Sequence, residues 1–205
     1  MNWMEWIGYA ASAFILLSML MTSIVKLRFI NLIGSLLFVV YGLLIEAYPV
    51  AFMNFFIALV NIYYIIRIRA VNKNDFSILE VRPDSEYVRE FLKFYAEDIK
   101  KFIPLFSLNE TNEDECWLLL KDMKVAGIFM GRKTDEHTLF IDLDYILKQY
   151  RDFRIGTFLY KFNQDFFLNK DIHQLKTVPA SHHHNHYLKK MGFQYQNGYY
   201  ERSIK

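Results

Sequence analysis

Cys116 is the only cysteine in this chain of 205 residues, so no disulfide can form within it. A lone thiol fits a domain facing a reducing compartment. A surplus of positive charge is also missing. Residues 1–70 carry Lys26, Arg28, Arg67 and Arg69 against Glu5 and Glu46, and the remainder is balanced at twenty basic and twenty acidic residues. A general nucleic-acid binder shows a basic surplus, so that class is excluded as an expectation. Most telling, charge is absent from three long stretches, Trp6–Val25, Phe29–Ile45 and Val50–Ile66.

What fills those stretches is apolar. About 20 such residues cross a bilayer core as a helix, with 17 near the lower limit. Charges are costly in lipid, so their absence predicts three transmembrane helices within residues 1–70. Residues 1–6 hold Glu5 and no Lys or Arg, so the positive start of a cleaved signal peptide is not expected. Lys26 and Arg28 lie after the first run, Arg67, Arg69 and Lys73 after the third, and no basic residue lies around Glu46–Pro49. The positive-inside rule then puts the N-terminus outside and the long C-terminal part in the cytoplasm of a multi-pass inner-membrane protein. Trp3, Trp6 and Tyr48 suit the outer interface, and Tyr63 and Tyr64 the inner one.

A polar stripe crosses the third run. Asn54, Ala58 and Asn61 share a helix face by spacing. An amide in hydrocarbon needs a partner, so this face meets another helix or a wet cavity. Ser18 and Thr22 on the first run admit the same two readings, or a bond to their own backbone. The pattern Gly8, Leu17-Ser18, Tyr41-Gly42, Pro49 and Asn54 resembles the three-helix PQ-loop proteins called SemiSWEETs, half-transporters that dimerise to pass sugars. The resemblance covers residues 6–66 and implies a homodimer through the helices, with Asn54 where that family contacts sugar. Met21-Thr22 stands in place of the flexing Pro-Gln pair, and Phe38 in place of the sugar-stacking tryptophan.

From Asp75 to the end, strand and helix patterns alternate, and residues 75–205 read as a soluble α/β domain. A strand is expected at Phe76–Val81. A helix follows from Asp84 or Ser85 to Ile103, with Tyr87, Phe91, Phe94, Tyr95 and Ile99 as its apolar stripe. Leu108–Glu115 reads as a polar turn. Trp117–Leu120 and Val125–Met130 form a hairpin, and His137–Ile146 a third strand. A helix is expected from Arg154 to about Asn169, with Ile155, Phe158, Leu159 and Phe162 inward. After it come a strand at His173–Val178, a short helix Asn185–Met191 closed by Gly192, and a hairpin turning at Asn197-Gly198.

The segment Tyr145–Thr157 runs from a strand into a helix start. Such a junction presents unpaired N–H groups suited to phosphate, with Arg151 and Arg154 as donors and Gly156 allowing close approach. The element order, with Arg151-Asp152-Phe153-Arg154-Ile155-Gly156 and Lys190-Met191-Gly192-Phe193, is similar to the Gcn5-related N-acetyltransferase (GNAT) family. Arg151 and Gly156 match that family's Gln/Arg-x-x-Gly-x-Gly/Ala signature, while Arg154 replaces its first glycine. The resemblance covers residues 75–205 and implies a mixed, mostly antiparallel sheet and acetyl-CoA as acyl donor. It places the pantetheine arm on the backbone of Tyr145 and Ile146, and the pyrophosphate on the amides of Asp152, Phe153, Arg154, Ile155, Gly156 and Thr157. The family's tyrosine acid falls at Leu188, leaving its neighbour Tyr187 as the catalytic candidate. Asp142, Asp144 or a histidine serves as base by type.

His182, His183, His184 and His186 lack converging zinc-ligand spacing, so no metal is expected and a solvated or substrate-facing loop is. The leading expectation is a membrane-anchored cytoplasmic N-acyltransferase acting on an unknown amine. The rival is a small-solute transporter or membrane adaptor whose second half only senses CoA.

Overall fold

The structure, a computed structural model, describes residues 3–70, 75–104, 106 and 115–204. The polar turn expected at Leu108–Glu115 lies, except for Glu115, outside the described residues, as do Lys73 and Lys205. The chain divides into two compact units, Met1–Val71 and Asn72–Lys205.

The first unit contains α1 (Trp3–Met19), α2 (Ile24–Leu44) and α3 (Tyr48–Arg69). The first apolar run is therefore not one helix up to Val25. It stops at Met19, because Ser23 caps α2 and its hydroxyl accepts from the Lys26 amide at 3.2 Å. Helices α2 and α3 are long and apolar enough to cross a membrane, over Ile24–Leu44 and Tyr48–Ile68; α1, at 17 residues, is shorter. Pro49 sits in the first turn of α3, where its missing N–H leaves no helical bond unmade.

Small and polar residues face inward in this unit. Ala11, Ser18, Gly34, Ser35, Gly42, Ala51, Ala58 and Asn61 are buried, while Leu16, Leu20, Phe52 and Ile66 are exposed. At Gly42 a Cβ would stand 2.8 Å from the Ala51 amide nitrogen, so glycine is what lets these two helices approach. A hydrogen-bonded chain ties the three helices. Asn31 donates to Ser18 Oγ at 3.1 Å, Asn61 donates to Asn31 Oδ1 at 2.9 Å, and Arg28 reaches Asn61 Oδ1 at 3.4 Å. Asn61 thus meets a second helix. Asn54 does not; its amide donates to Val50 O one turn back in α3, at 2.9 Å.

In the second unit β1 (Phe76–Glu80), β2 (Glu115–Lys121), β3 (Lys124–Lys133), β4 (Thr138–Ile146), β5 (Gln174–Thr177), β6 (Gln194–Gln196) and β7 (Tyr199–Ser203) form one sheet, in the order β1-β2-β3-β4-β5-β7-β6. Only the β4–β5 pairing among these is parallel. The β2–β3 hairpin turns on Asp122 and Met123, both with positive φ (50° and 61°). That is the twist a two-residue hairpin needs, reached without glycine. Asn197 and Gly198 repeat it, at 48° and 86°.

Helix α4 (Glu86–Phe102) is capped by Ser85, whose hydroxyl accepts from the Val88 amide. Its buried Val88, Phe91, Leu92 and Ile99 pack in one cluster with Cys116, Leu118, Ile128, Met130, Leu143 and Tyr145 from the sheet. The alternate strand residues Trp117 and Phe129 join Tyr160 and Phe167 in a separate set of aromatic contacts. Strand β2 is buried on both faces, which is why its sequence runs apolar without alternation.

The helix expected from Arg154 to Asn169 is three pieces: α5 (Ile155–Thr157), a π turn (Phe158–Phe162) and α6 (Gln164–Leu168), broken at Asn163. The wide turn rotates the apolar set, so Phe162 is exposed and Tyr160 is fully buried instead. Helix α7 (His182–Lys190) starts three residues before the expected point, because Ser181 Oγ accepts from the His184 amide. The histidines expected in a loop are therefore helical. Gly192 (φ 92°) follows as the left-handed residue that ends α7.

Candidate active site

The β4–β5 ladder is short. It pairs Thr138 with Gln174, Leu139 with Leu175 and Phe140 with Lys176. Thr177 then donates its hydroxyl to Ile141 O at 2.9 Å, and β5 ends. One residue further along β4, the register with β3 slips, so that Asp142 is the extra residue of a bulge. A bulge bends its strand. The last residues of β4, from Asp142 to Ile146, are thus left without a β5 partner.

A cavity of about 650 Å³ opens there. Its wall combines the end of β4 (Asp144, Tyr145, Ile146), the turn after it (Arg151, Arg154), the following helical residues (Ile155, Gly156, Thr157, Lys161) and α7 (His183, His184, Tyr187, Lys190). Phe102 and Met191 complete it. Arg151, Arg154, Lys161 and Lys190 face one acidic residue, Asp144, so the cavity favours a polyanion.

At its inner end Asp144 is buried, and Oδ2 accepts from Tyr160 at 2.7 Å and from Tyr187 at 2.9 Å. Burial pushes the Asp144 carboxyl up, against the opposing pull of Tyr160, His184 and Tyr187. Burial, reinforced by the Asp144 charge, pushes both phenols well above their ordinary value. Burial pushes His184 down, with Asp144 partly opposing it. Tyr187 therefore carries its proton at neutral pH and directs it at Asp144.

Gly156 lies under this phenol. A Cβ on Gly156 would clash with the Tyr187 hydroxyl and come within 2.8–2.9 Å of Cε2 and Cζ. Leu188, the residue aligned with the family tyrosine, points into the core at 1% exposure. The neighbouring position is thus the one that reaches the cavity.

Among the expected phosphate donors, Arg151 has other commitments. It donates to Ile146 O at 3.0 Å, pairs with the Asp98 carboxylate, and stacks on Phe102 at 4.5 Å. Tyr145 donates to the same Asp98 oxygen at 2.8 Å. Burial raises the Asp98 pKa, but Tyr145 and Arg151 outweigh it and hold the carboxyl below its ordinary value. Burial and the Asp98 contact push the Tyr145 phenol up. Arg151 thus ties the turn that follows β4 to the end of β4 and to α4.

Arg154 occupies the left-handed region, φ 57° and ψ 35°. This is backbone that glycine adopts freely and that costs an ordinary residue about 1–2 kcal/mol. The turn keeps a glycine-like shape although the sequence supplies arginine. Asp152 and Phe153 are not among the cavity-lining residues; they belong to the 3₁₀ turn Lys148–Phe153.

Tyr145, Ile146, Arg151, Arg154, Ile155, Gly156, Thr157 and Tyr187 therefore share one cavity, while Asn54 and Asn61 belong to the other unit. The sequence reading missed the pairing of Asp144 with Tyr187, the contribution of Lys161 and Lys190, and the burial of His184. Alternation along β4 could have put Asp142 and Asp144 on one face, but the bulge between them breaks that rule.

The sequence profile of the acetyltransferase (GNAT) family matches residues 77–193, more than half of the chain. The chain belongs to this family. Among solved structures, an acetyltransferase from Salmonella typhimurium that modifies the N-terminal serine of ribosomal protein L7/L12 shares the fold. It has a TM-score of 0.50 at 10% identity, over 66% of this chain and 99% of that one. A GNAT acetyltransferase from Elizabethkingia anophelis, solved with acetyl-CoA bound, aligns over 64% of this chain and 99% of that one, at 14% identity and a TM-score of 0.41. GNAT acetyltransferases take acetyl-CoA as acyl donor. An uncharacterised protein from Haemophilus influenzae is 49% identical over 71 residues, covering 35% of this chain and 92% of that protein.

Proposed function

We propose that this GNAT protein is an N-acetyltransferase that moves the acetyl group of acetyl-CoA to an amine, and that its first unit holds it on the cytoplasmic face of a membrane. The observation that carries the catalytic reading is the Tyr187–Asp144 pair at the inner end of a cationic cavity beside an unpaired strand edge. The residues fit acetyl-CoA. Arg154, Lys161 and Lys190 suit its phosphates, and the free edge of β4 offers peptide groups to an amide-bearing arm.

Acetyl-CoA supplies an acetyl thioester activated toward attack by a neutral amine. Tyr187 holds a proton at its hydroxyl; turning from Asp144, the hydroxyl would give that proton to the departing sulfur, and the proton lost by the amine would restore the phenol. Asp144 fixes the direction of that hydroxyl, and Tyr160 fixes Asp144. Arg154, Lys161 and Lys190 bind negative charge at the cavity mouth, and the Arg151–Asp98–Tyr145 set holds the end of β4 in place.

The membrane reading rests on the inverted arrangement of the first unit. Its interior is small and polar and its surface is Leu, Ile and Phe, the reverse of a helix bundle in water. We read α1 as a third, short span, with the bilayer as the partner of this surface and pairing with a second copy as a further consequence of it. Arg28, at the start of α2, stacks on Tyr64 near the end of α3, which puts the cationic ends of both helices on one side, as the positive-inside rule requires of the cytoplasmic side.

The test is acetyl-CoA turnover by the purified full-length chain against a panel of primary amines and peptide N-termini, read as free thiol. Amine-dependent thiol release that falls in Tyr187→Phe supports transfer. Acetyl-CoA binding with no release for any amine would contradict it and favour a sensor.

A further inference from the structure

At the far end of β4 from Asp144, three metal-ligating side chains converge: His137, Asp171 and His173. We propose that they form a binding site for one divalent first-row transition ion, zinc in particular.

The backbone sets the site up. His137 precedes β4 and His173 precedes β5, the two parallel strands, and the amides of His173 and Gln174 both donate to His137 O at 2.8 and 3.0 Å. Between Asp171 and His173 lies Ile172, fully buried. Both flanking side chains are exposed and meet, with His173 Nε2 at 3.1 Å from Asp171 Oδ1. Asp171 itself is held at φ 61°, a left-handed conformation uncommon for a non-glycine residue.

The spacing suits an ion. The Asp171 carboxylate lies 3.1 Å from His137 Nδ1 and 3.1 Å from His173 Nε2, and the three ligand atoms all fall within 4.8 Å of one another. Tetrahedral zinc with bonds of about 2.0–2.1 Å separates its ligands by about 3.4 Å. The two short separations, one to each carboxylate oxygen, need to open by only a few tenths of an ångström, and an ion between the rings draws the remaining pair together from within 4.8 Å. Two imidazoles with one carboxylate favour zinc and its neighbours over calcium or magnesium, which take mostly oxygen. All three residues are exposed, so the fourth position is left to water. The bound ion would staple the β3–β4 turn to the chain entering β5, at the end of the ladder away from the cavity.

A second imidazole cluster, on α7, must be told apart. His182 and His186 are one turn apart there and both exposed. The experiment is calorimetric titration of Zn²⁺ into the chelator-stripped, full-length, untagged chain, repeated with His173→Ala, His137→Gln, Asp171→Asn and the pair His182→Ala/His186→Ala. The proposal expects one site of micromolar affinity, weakened at least tenfold in each of the first three variants and unchanged in the α7 pair. Zn²⁺ should also raise the melting temperature of the parent chain and not that of His173→Ala. Absence of binding, equal affinity in the first three variants, or loss confined to the α7 pair would each overturn it. These exposed substitutions leave the metal-free melting temperature as a check that folding is intact.

Discussion

The phenol of Tyr187 occupies the space that a side chain at Gly156 would need, and its hydroxyl is held there by Asp144 at 2.9 Å. Gly156 therefore serves the position of Tyr187. Gly156→Ala should displace the far end of a tyrosine, which can move, without breaking the core. The expected result is a melting temperature within a few degrees of the parent and at least a tenfold fall in kcat. In the Tyr187→Phe background the same change should cost much less, since neighbouring residues that act as a unit are not additive.

Tyr187→Phe removes the proton but keeps the ring over Gly156. Proton transfer by a positioned side chain is worth about 10²–10⁴-fold in rate. Steady-state kinetics should show a loss in that range in kcat, with KM for acetyl-CoA changed less than threefold. A large KM effect with kcat preserved would make Tyr187 a binding residue.

Asp144 has a pKa raised by burial, so the native state holds its proton more tightly than the unfolded chain does. Stability from this group is therefore greatest at low pH and declines as pH rises from the unfolded carboxyl value through the folded one. Asp144→Asn keeps an acceptor for the phenols and removes the titration. Denaturant melts across pH should show the variant gaining on the parent as pH rises through that window. Parallel curves would mean that Asp144 is not shifted upward.

Asp98 behaves in the opposite sense. Its lowered pKa, the net result of burial outweighed by Tyr145 and Arg151, makes its contribution complete above the unfolded carboxyl value and lost as pH falls through the folded one. Asp98→Asn should cost about 1–3 kcal/mol at neutral pH, and the difference from the parent should shrink toward acid. Because Arg151 also bonds Ile146 O, this variant should raise KM for acetyl-CoA by loosening the end of β4.

Arg154→Gly separates charge from shape. Glycine takes φ 57° without strain, so the turn survives and only the guanidinium is lost. A several-fold rise in KM for acetyl-CoA, steeper at low ionic strength, is expected; an unchanged KM would remove Arg154 from the phosphate-binding set.

Much of the second unit was legible because local chemistry and tertiary position agree. Asp84 or Ser85 marked the start of α4, where Ser85 is the cap, Gly192 the end of α7 and Asn197-Gly198 the last hairpin, and each signal acts within a few residues. The errors arose where longer-range packing decides. The π turn at Phe158–Phe162 shifts the helical register and buries Tyr160 in place of Phe162, which no periodicity shows. Ser181 outweighed a run of histidines that read as a loop. In the first unit, unbroken apolarity hid the end of α1: Thr22 and Ser23 are the only polar residues from Leu20 to Val25, and the Ser23 cap carries no charge to mark the break. The site residues on one segment, Tyr145–Thr157, could be read together. The partnership of Asp144 with Tyr187, 43 positions apart, depends on the bulge at Asp142 and on where α7 lands.

The most direct test of the central claim is calorimetric titration of acetyl-CoA into the purified full-length chain and into Gly156→Glu. The account predicts one micromolar site per chain in the parent and none in the variant, whose folding is checked by a cooperative melt. No binding by a folded parent chain, or equal binding by both, would contradict it.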